Sequence, residues 1–334
     1  VGRYVARRLL QGLLTLFLVM VLLHLLTTAA IQLNGNPALA FFGDRVPTAA
    51  QLQAVSERYG LGDACYNQLG NPCVGPFLDR LAAYATGDFG TDLRGREVTE
   101  IVAVAAPNTL RLFAVVGLTW LVVGMTLGSL AARYRGRAAD HGIRAGSILV
   151  DAFPVFVMLL VYKFVVTVPM STWARDTFGA ESLPALLFRP SFSPDHPWAT
   201  VLVPGVLLGL AGSAAFIRLV RAAQLENYNA EHVRTARSKG LGERHVTLFH
   251  IVRNSSIPVV TAIGFVFAEA LAGAVVTEGL MNVYGMGGVL WSAVRDSDVS
   301  VVVGIVTLLA VVTVVVMIVV DLLYAALDPR IRFD

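Results

Sequence analysis

Apolar residues run along this chain in long unbroken stretches, not in the short alternations that mark strands. A helix rising 1.5 Å per residue needs about 20 apolar residues to cross roughly 30 Å of hydrocarbon. Six stretches reach that length and predict spans at residues 9–31, 107–132, 145–168, 198–217, 257–277 and 299–323. No formal charge falls between Leu9 and Ile31, between Leu112 and Ala132, or between Val299 and Val320. Asp151 and Lys163 interrupt the third stretch, and Glu269 interrupts the fifth. A transmembrane barrel would show alternating segments of about ten residues instead. The first stretch is longer than a signal-peptide core and is expected to remain as a span. The pattern predicts an all-α membrane protein of six transmembrane helices, with short ends at 1–8 and 324–334.

Composition agrees with this. Of 334 residues, 56% are apolar and 15% are charged, against about 25% charged in an ordinary soluble domain. That excludes a disordered chain, a fibrous protein and an ordinary soluble enzyme. The net charge of +3 is too small to suggest nucleic acid as a partner.

The distribution of Lys and Arg sets the orientation. Six spans leave both ends on one side. That side carries Arg3, Arg7 and Arg8, then Arg133, Arg135, Arg137 and Arg144. It also carries Arg218, Arg221, Arg234, Arg237, Lys239, Arg244 and Arg253, and finally Arg330 and Arg332. These are sixteen cations against eight on the opposite face. Both termini are therefore expected in the cytoplasm of a multi-pass membrane protein.

Residues 32–106 form an outer loop far longer than a connection requires, so it should hold structure of its own. Short helices are predicted over 47–63, capped by Thr48 and ended by Gly60, then over 76–84 and over 97–106. Cys65 and Cys73 both fall in this loop. An oxidising exterior permits a disulfide there, and two free thiols are the alternative.

The cytoplasmic loop 218–256 carries the densest signals. Asn229 can cap a helix over 230–239, Gly240 can end it in the left-handed region, and Arg237 and Lys239 suit its C-terminal dipole. A second amphipathic stretch over 243–253 carries Val246, Phe249 and Val252 on one side. Such a unit suits a rigid peg that transmits a soluble partner's motion. It equally suits an interfacial helix drawn to anionic lipid, and the residues alone leave both open.

Residues 231–240, EHVRTARSKG, carry the triplet Arg234-Thr235-Ala236 followed by Gly240. With several other ordered motifs this resembles one family, the permease subunits of bacterial ABC importers in the oligopeptide/dipeptide branch, whose coupling motif places a Glu-Ala-Ala triplet before a Gly. Residues 86–93, TGDFGTDL, and 107–110, PNTL, resemble its outer-loop signature and the opening of its second span. Residues 277–288, TEGLMNVYGMGG, match a glycine-rich pattern through Glu278, Gly285 and Gly287, and 321–332 resemble its ending. There are departures: Arg253 stands where the general motif closes on Pro, Pro258 follows five residues later, and Tyr284 replaces a Pro.

The resemblance implies the type I permease fold, with an outer loop after the first helix, and a chain that does no chemistry. It implies a second permease subunit, two ATPase subunits that use ATP and Mg, and an external binding protein that delivers peptide. It implies an ATPase-coupling role for Glu231, Arg234, Thr235, Ala236, Arg237, Lys239, Gly240 and Leu241. No phosphate loop of the G-x-x-x-x-G-K-[ST] form occurs in the sequence, and no zinc-ligand spacing, so no cofactor is expected on the chain itself. Nickel-chelate and glutathione permeases share these motifs, so cargo stays open. A self-contained channel or carrier would show inverted repeats, and none is evident.

Ionisable residues inside a membrane mark pathways or helix contacts. Glu269, with Thr261 as a small polar neighbour, can meet a peptide ammonium or bond another helix. Asp151 is expected to pair near the cytoplasmic end of its span, and Glu278 to guard the outer exit or cap a loop. Lys163 is expected to snorkel outward and His24 to donate between helices. Gly128, Gly209 and Gly212 are expected to allow close helix packing.

Overall fold

The computed structural model describes residues 2–34, 38, 42, 46–58 and 63–327. Within them, the side chains of 2–5, 34, 54, 57–58, 67, 256–258, 260–266, 268–269 and 323–327 lie outside the description. Every regular element among the described residues is a helix, apart from a lone antiparallel bridge between Thr91 and Glu97. In chain order the helices are α1 (Gly2–Asn34), α2 (Ala49–Arg58), α3 (Val74–Ala85), α4 (Val98–Thr119) and α5 (Met125–Arg133). There follow α6 (Ala138–Ala152), α7 (Val155–Val161), α8 (Val168–Phe178), α9 (Leu183–Leu187) and α10 (Pro197–Tyr228). The last are α11 (Glu231–Ser238), α12 (Glu243–His245), α13 (Arg253–Leu280), α14 (Met286–Arg295) and α15 (Val299–Leu327).

Five helical runs among the described residues are long and apolar enough to cross a membrane: Ala6–Leu33, Val98–Arg133, Val155–Phe178, Pro197–Tyr228 and Val299–Leu322. The fifth predicted span, 257–277, coincides with α13, whose described apolar part is Ala270–Leu280. Single-turn π segments at Trp120–Gly124 and Tyr162–Thr167 join α4 to α5 and α7 to α8 without breaking the run. A third, Val246–Val252, joins α12 to α13.

The helix boundaries correct the sequence expectation at several points. Pro107 does not start a helix: α4 runs straight through it, and the segment predicted as a separate outer helix over 97–106 is its first part. A continuous helix over 145–168 is not formed. Residues up to Ala152 belong to α6, Phe153 turns to extended backbone, and Pro154 caps the next helix, so the spanning run becomes Val155–Phe178. Proline biases the residue before it away from helical geometry, and here that bias prevails. The helix of the fourth span continues past 217 to Tyr228. Its 32 residues reach about 48 Å, more than the roughly 30 Å of hydrocarbon.

The described chain divides into two compact units, 1–105 with 289–315, and 106–288 with 316–334. In the first unit, Cys65 and Cys73 are joined as a disulfide. The closed loop docks on α1 through Gln32, whose amide nitrogen donates to the Cys65 and Asn71 carbonyls while its oxygen accepts from the Gly70 N–H. His24 Nε2 lies 2.9 Å from the Pro72 carbonyl and 3.1 Å from that of Cys73, and Phe77 packs on Phe17 and His24. Thr48 caps α2 reciprocally with Gln51. The TGDFGTDL segment is a tight turn around buried Asp92, which accepts from the Arg94 and Arg96 amides and from the Arg96 guanidinium. Asp298, just before α15, accepts from Val301 and Leu93.

In the second unit, α10 crosses the α4–α5 run along a reciprocal ridge of small residues. Cβ atoms at Gly205, Gly209 and Gly212 would collide with Val115, Thr119 and Trp120. Cβ atoms at Gly124 and Gly128 would collide with Phe216 and Val220. Small residues at this spacing let helices approach closely where lipid offers no hydrophobic drive. The core around the crossing includes Leu112, Val116, Leu159, Val201, Leu208 and Val259.

Candidate functional site

The peg expected in residues 218–256 is built from α11. Asn229 does not cap it, contrary to expectation. Asn229 ends α10, its side chain donates to the Leu225 carbonyl, and Ala230 takes the extended N-cap position without a side-chain bond. The C-terminus closes as a Schellman motif: Gly240 at φ +76° donates its N–H to Arg237, and Leu241 donates to Ala236. A residue with a Cβ is disfavoured at that φ.

One face of α11 is buried. Val233 (0% exposed) and Ala236 (4%) pack with Val246, Ile251 and Tyr228, joining the end of α10 to the segment that leads into α13. Glu231, Arg234, Thr235, Arg237, Lys239, Gly240 and Leu241 face outward. Glu231 pairs with Arg234 at 3.1 Å, and Arg237 grips Glu243 with two nitrogens at 2.7 and 3.2 Å. That grip fixes α11 against α12 across the glycine. The π segment redirects the second stretch, so Val246 and Ile251 are buried while Phe249 is exposed, not aligned with Val246 as expected.

The base of α10 is tied to its neighbours by polar contacts. Arg221 meets Asp140 of α6 with two nitrogens at 2.8 Å, and the Gly136 N–H donates to the same carboxylate. The Arg221 guanidinium, and then the Gly136 amide, hold the Asp140 carboxyl well below the usual carboxylate range. Gln224, fully buried, donates to Ser129 at 2.7 Å. Ser255 donates to Ile251 and Ala223, and Asn227 donates to Ser255, joining α10 to α13.

Above this base lies a cavity of about 220 Å³ lined by Trp120, Asp151, Phe153, Pro154, Leu208, Gly212, Ala270 and Gly273 among others. Asp151 reaches it from the end of α6 and pairs with Arg218 at 3.1 Å, both half-exposed. The buried Trp120 indole N–H has no partner among the described residues. Sequence reading missed Trp120 and Val233. A Trp inside an apolar run carries no signal and a single Val among the polar residues of 231–240 marks no face by itself, although the break at Pro154 that opens the cavity wall was visible as a proline.

The remaining candidates separate. Glu269 and Thr261 sit on α13, but their side chains lie outside the described residues. Glu278 is completely buried near the C-terminal end of α13, where it accepts the Gly288 N–H at 2.9 Å. Lys163 Nζ donates to the Leu280 carbonyl at the end of α13. Among the described residues no group of three or more His, Cys, Asp or Glu could hold a metal.

Comparison with known proteins bears on this arrangement. The family described as binding-protein-dependent transport system inner membrane component matches residues 124–333. The chain is 29% identical over 332 residues to the oligopeptide transport system permease protein AppB of Bacillus subtilis, covering 99% of each. It is 32% identical over 334 residues to the glutathione transport system permease protein GsiC of Escherichia coli, again covering 99% of each. The GsiC of Shigella flexneri is 31% identical over 332 residues. A family match over more than half the chain, and end-to-end similarity to permeases, show that the chain belongs to the inner membrane components of binding-protein-dependent transport systems, the permease subunits of ABC importers.

Proposed function

We propose that the chain imports short peptides or glutathione-like compounds, as one of two permease subunits driven by two separate ATPase subunits and fed by an extracytoplasmic binding protein. ATP and Mg act on the ATPases; the chain supplies a passage and a lever. The observation that carries this reading is the peg, where Val233 and Ala236 join the base of α10 to the start of α13. A displacement of α11 therefore moves both helices, and both line the cavity through Leu208, Gly212, Ala270 and Gly273. Alternating access follows when ATP binding draws the ATPases together and hydrolysis releases them. Asp151 lines the cavity with Arg218 held against it, so a carboxylate stands where a peptide ammonium can meet it. Oligopeptide and glutathione relatives are similarly close, which supports this cargo class as a whole.

The test is reconstitution of the chain with its partner permease, ATPases and binding protein in proteoliposomes. ATP-dependent uptake of a dipeptide or of glutathione is expected. In the same system, Gly240→Trp or Arg237→Glu should keep assembly and reduce uptake per ATP hydrolysed by about tenfold, a coupling loss near 1.4 kcal/mol. Uptake by the lone chain without ATP, or unchanged uptake in both variants, overturns the reading.

A further inference from the structure

Two motifs far apart in the sequence meet at the outer end of the second unit. The segment Met281–Gly288 follows α13 and is held from three directions. Asn108 donates to the Tyr284 carbonyl at 2.7 Å, and the Met286 N–H donates to the Thr109 hydroxyl at 2.8 Å. The Gly288 N–H donates to Glu278 Oε2 at 2.9 Å, and Lys163 donates to the Leu280 carbonyl. Arg111 donates to the Asn108 oxygen, which turns the Asn108 amide nitrogen toward Tyr284. Thr109 and Glu278 thus serve the first-turn amides of α14 that no helix can satisfy internally.

Packing makes the segment rigid. Met281, Val283 and Met286 are buried, and the chain turns at Asn282 with φ +52°. A Cβ at Gly285 would lie 2.4 Å from the Glu278 carboxylate, and one at Gly287 would lie 2.6 Å from the Val275 backbone. The carboxylate occupies the space that two absent side chains leave. Tyr284, at the apex, stays 41% exposed.

We propose that Asn108, Thr109 and Glu278 are positioning residues. They clasp Met281–Gly288 into a fixed outer rim that sets how substrate-loaded binding protein engages the permease, and they do not touch cargo. Glu278 is sealed from the cavity side by full burial, so a pathway role would leave its hydrogen bond to Gly288 unexplained. This inference rests on the importer reading above.

The experiment compares Thr109→Val, Thr109→Ser, Glu278→Leu and Glu278→Gln in the reconstituted transporter. Thr109→Val and Glu278→Leu should raise the KM for loaded binding protein about fivefold while the maximal ATPase rate stays within about twofold. Serine and glutamine keep an acceptor at the same place and should restore the KM. Hydrogen exchange on the same samples should quicken in a peptide covering 281–288 and stay unchanged in one covering 231–241. If wild-type transporter moves no substrate, the importer reading fails, and the rim inference with it. If wild type is active and Thr109→Val shows the wild-type KM, or Thr109→Ser is no better than Thr109→Val, the rim inference alone is overturned. Loss of assembly in all four variants also overturns it, by reducing the clasp to a folding requirement.

Discussion

At the scale of single residues, the Asp140–Arg221 pair shows how a carboxylate can be structural in a chain with few charges. Asp140 is 1% exposed and Arg221 about a fifth exposed, with two bonds of 2.8 Å between them. Hydrogen bonds to charged groups contribute about 1.5–3 kcal/mol each when their loss leaves a partner unpaired. Asp140→Asn should therefore destabilise the protein by about 1.5–3 kcal/mol, measured as a shift in thermal unfolding of the purified protein. The carboxyl is held below its ordinary pKa by the guanidinium and the Gly136 amide. Its stabilisation is thus fully present above the unfolded value of about 3.9 and is lost only as pH falls through the lower folded value. The gap between wild type and Asp140→Asn should stay constant from neutral pH down to about 5 and narrow in stronger acid. A gap that narrowed between pH 7 and 6 would assign the effect to another group.

At the scale of elements, α10 and the α4–α5 run approach through glycines at both surfaces. Gly209→Leu places side-chain atoms where Thr119 already lies 2.6 Å from an added Cβ. Overpacking of this kind costs about 1–3 kcal/mol and should lower the melting temperature of the purified protein. Gly117 on α4 has nothing within 4 Å of an added Cβ, so Gly117→Ala should be neutral or stabilising by about 0.5–1 kcal/mol. A gain in both variants would show that helix propensity, not close packing, dominates here.

These elements also show what the sequence could carry. The long apolar runs determined where helices form, because burial of backbone polar groups in lipid admits no other spanning segment. Gly240 was legible because a left-handed stop demands a residue type, and Ala236 only through its place in the resembling motif. Pro107 and Pro154 look alike in the sequence, yet one lies inside α4 and the other starts α7. The π segments left no trace, since one extra residue per turn changes register and not composition. The meeting of Asn108 with Tyr284, 176 residues away, is a property of the fold. So is the burial of Glu278, which the sequence alone could place equally at an exit or beneath a loop.

At the scale of the molecule, orientation decides whether the peg and the rim lie on the sides their roles require. The excess of Lys and Arg in the short loops predicts that 218–256 faces the cytoplasm and 32–106 the exterior. The chain has two cysteines, and they are bonded to each other, so a newly introduced cysteine is the reactive thiol without any background removal. Glu97 and Lys239 are both exposed and lie in the two loops with opposite assignments. In intact cells, a membrane-impermeant maleimide should label Glu97→Cys and leave Lys239→Cys unlabelled until the membrane is permeabilised. Arg135→Cys, in the loop between the second and third spans, should behave as Lys239→Cys does. The reverse pattern would carry α11 to the outside, where no ATP-driven partner could press on Val233 and Ala236, and would bring the clasp around Glu278 to the inner face. One labelling experiment therefore bears on both ends of the proposed lever, because a membrane crossing by α13, which lies between them, obliges the peg and the rim to exchange sides together.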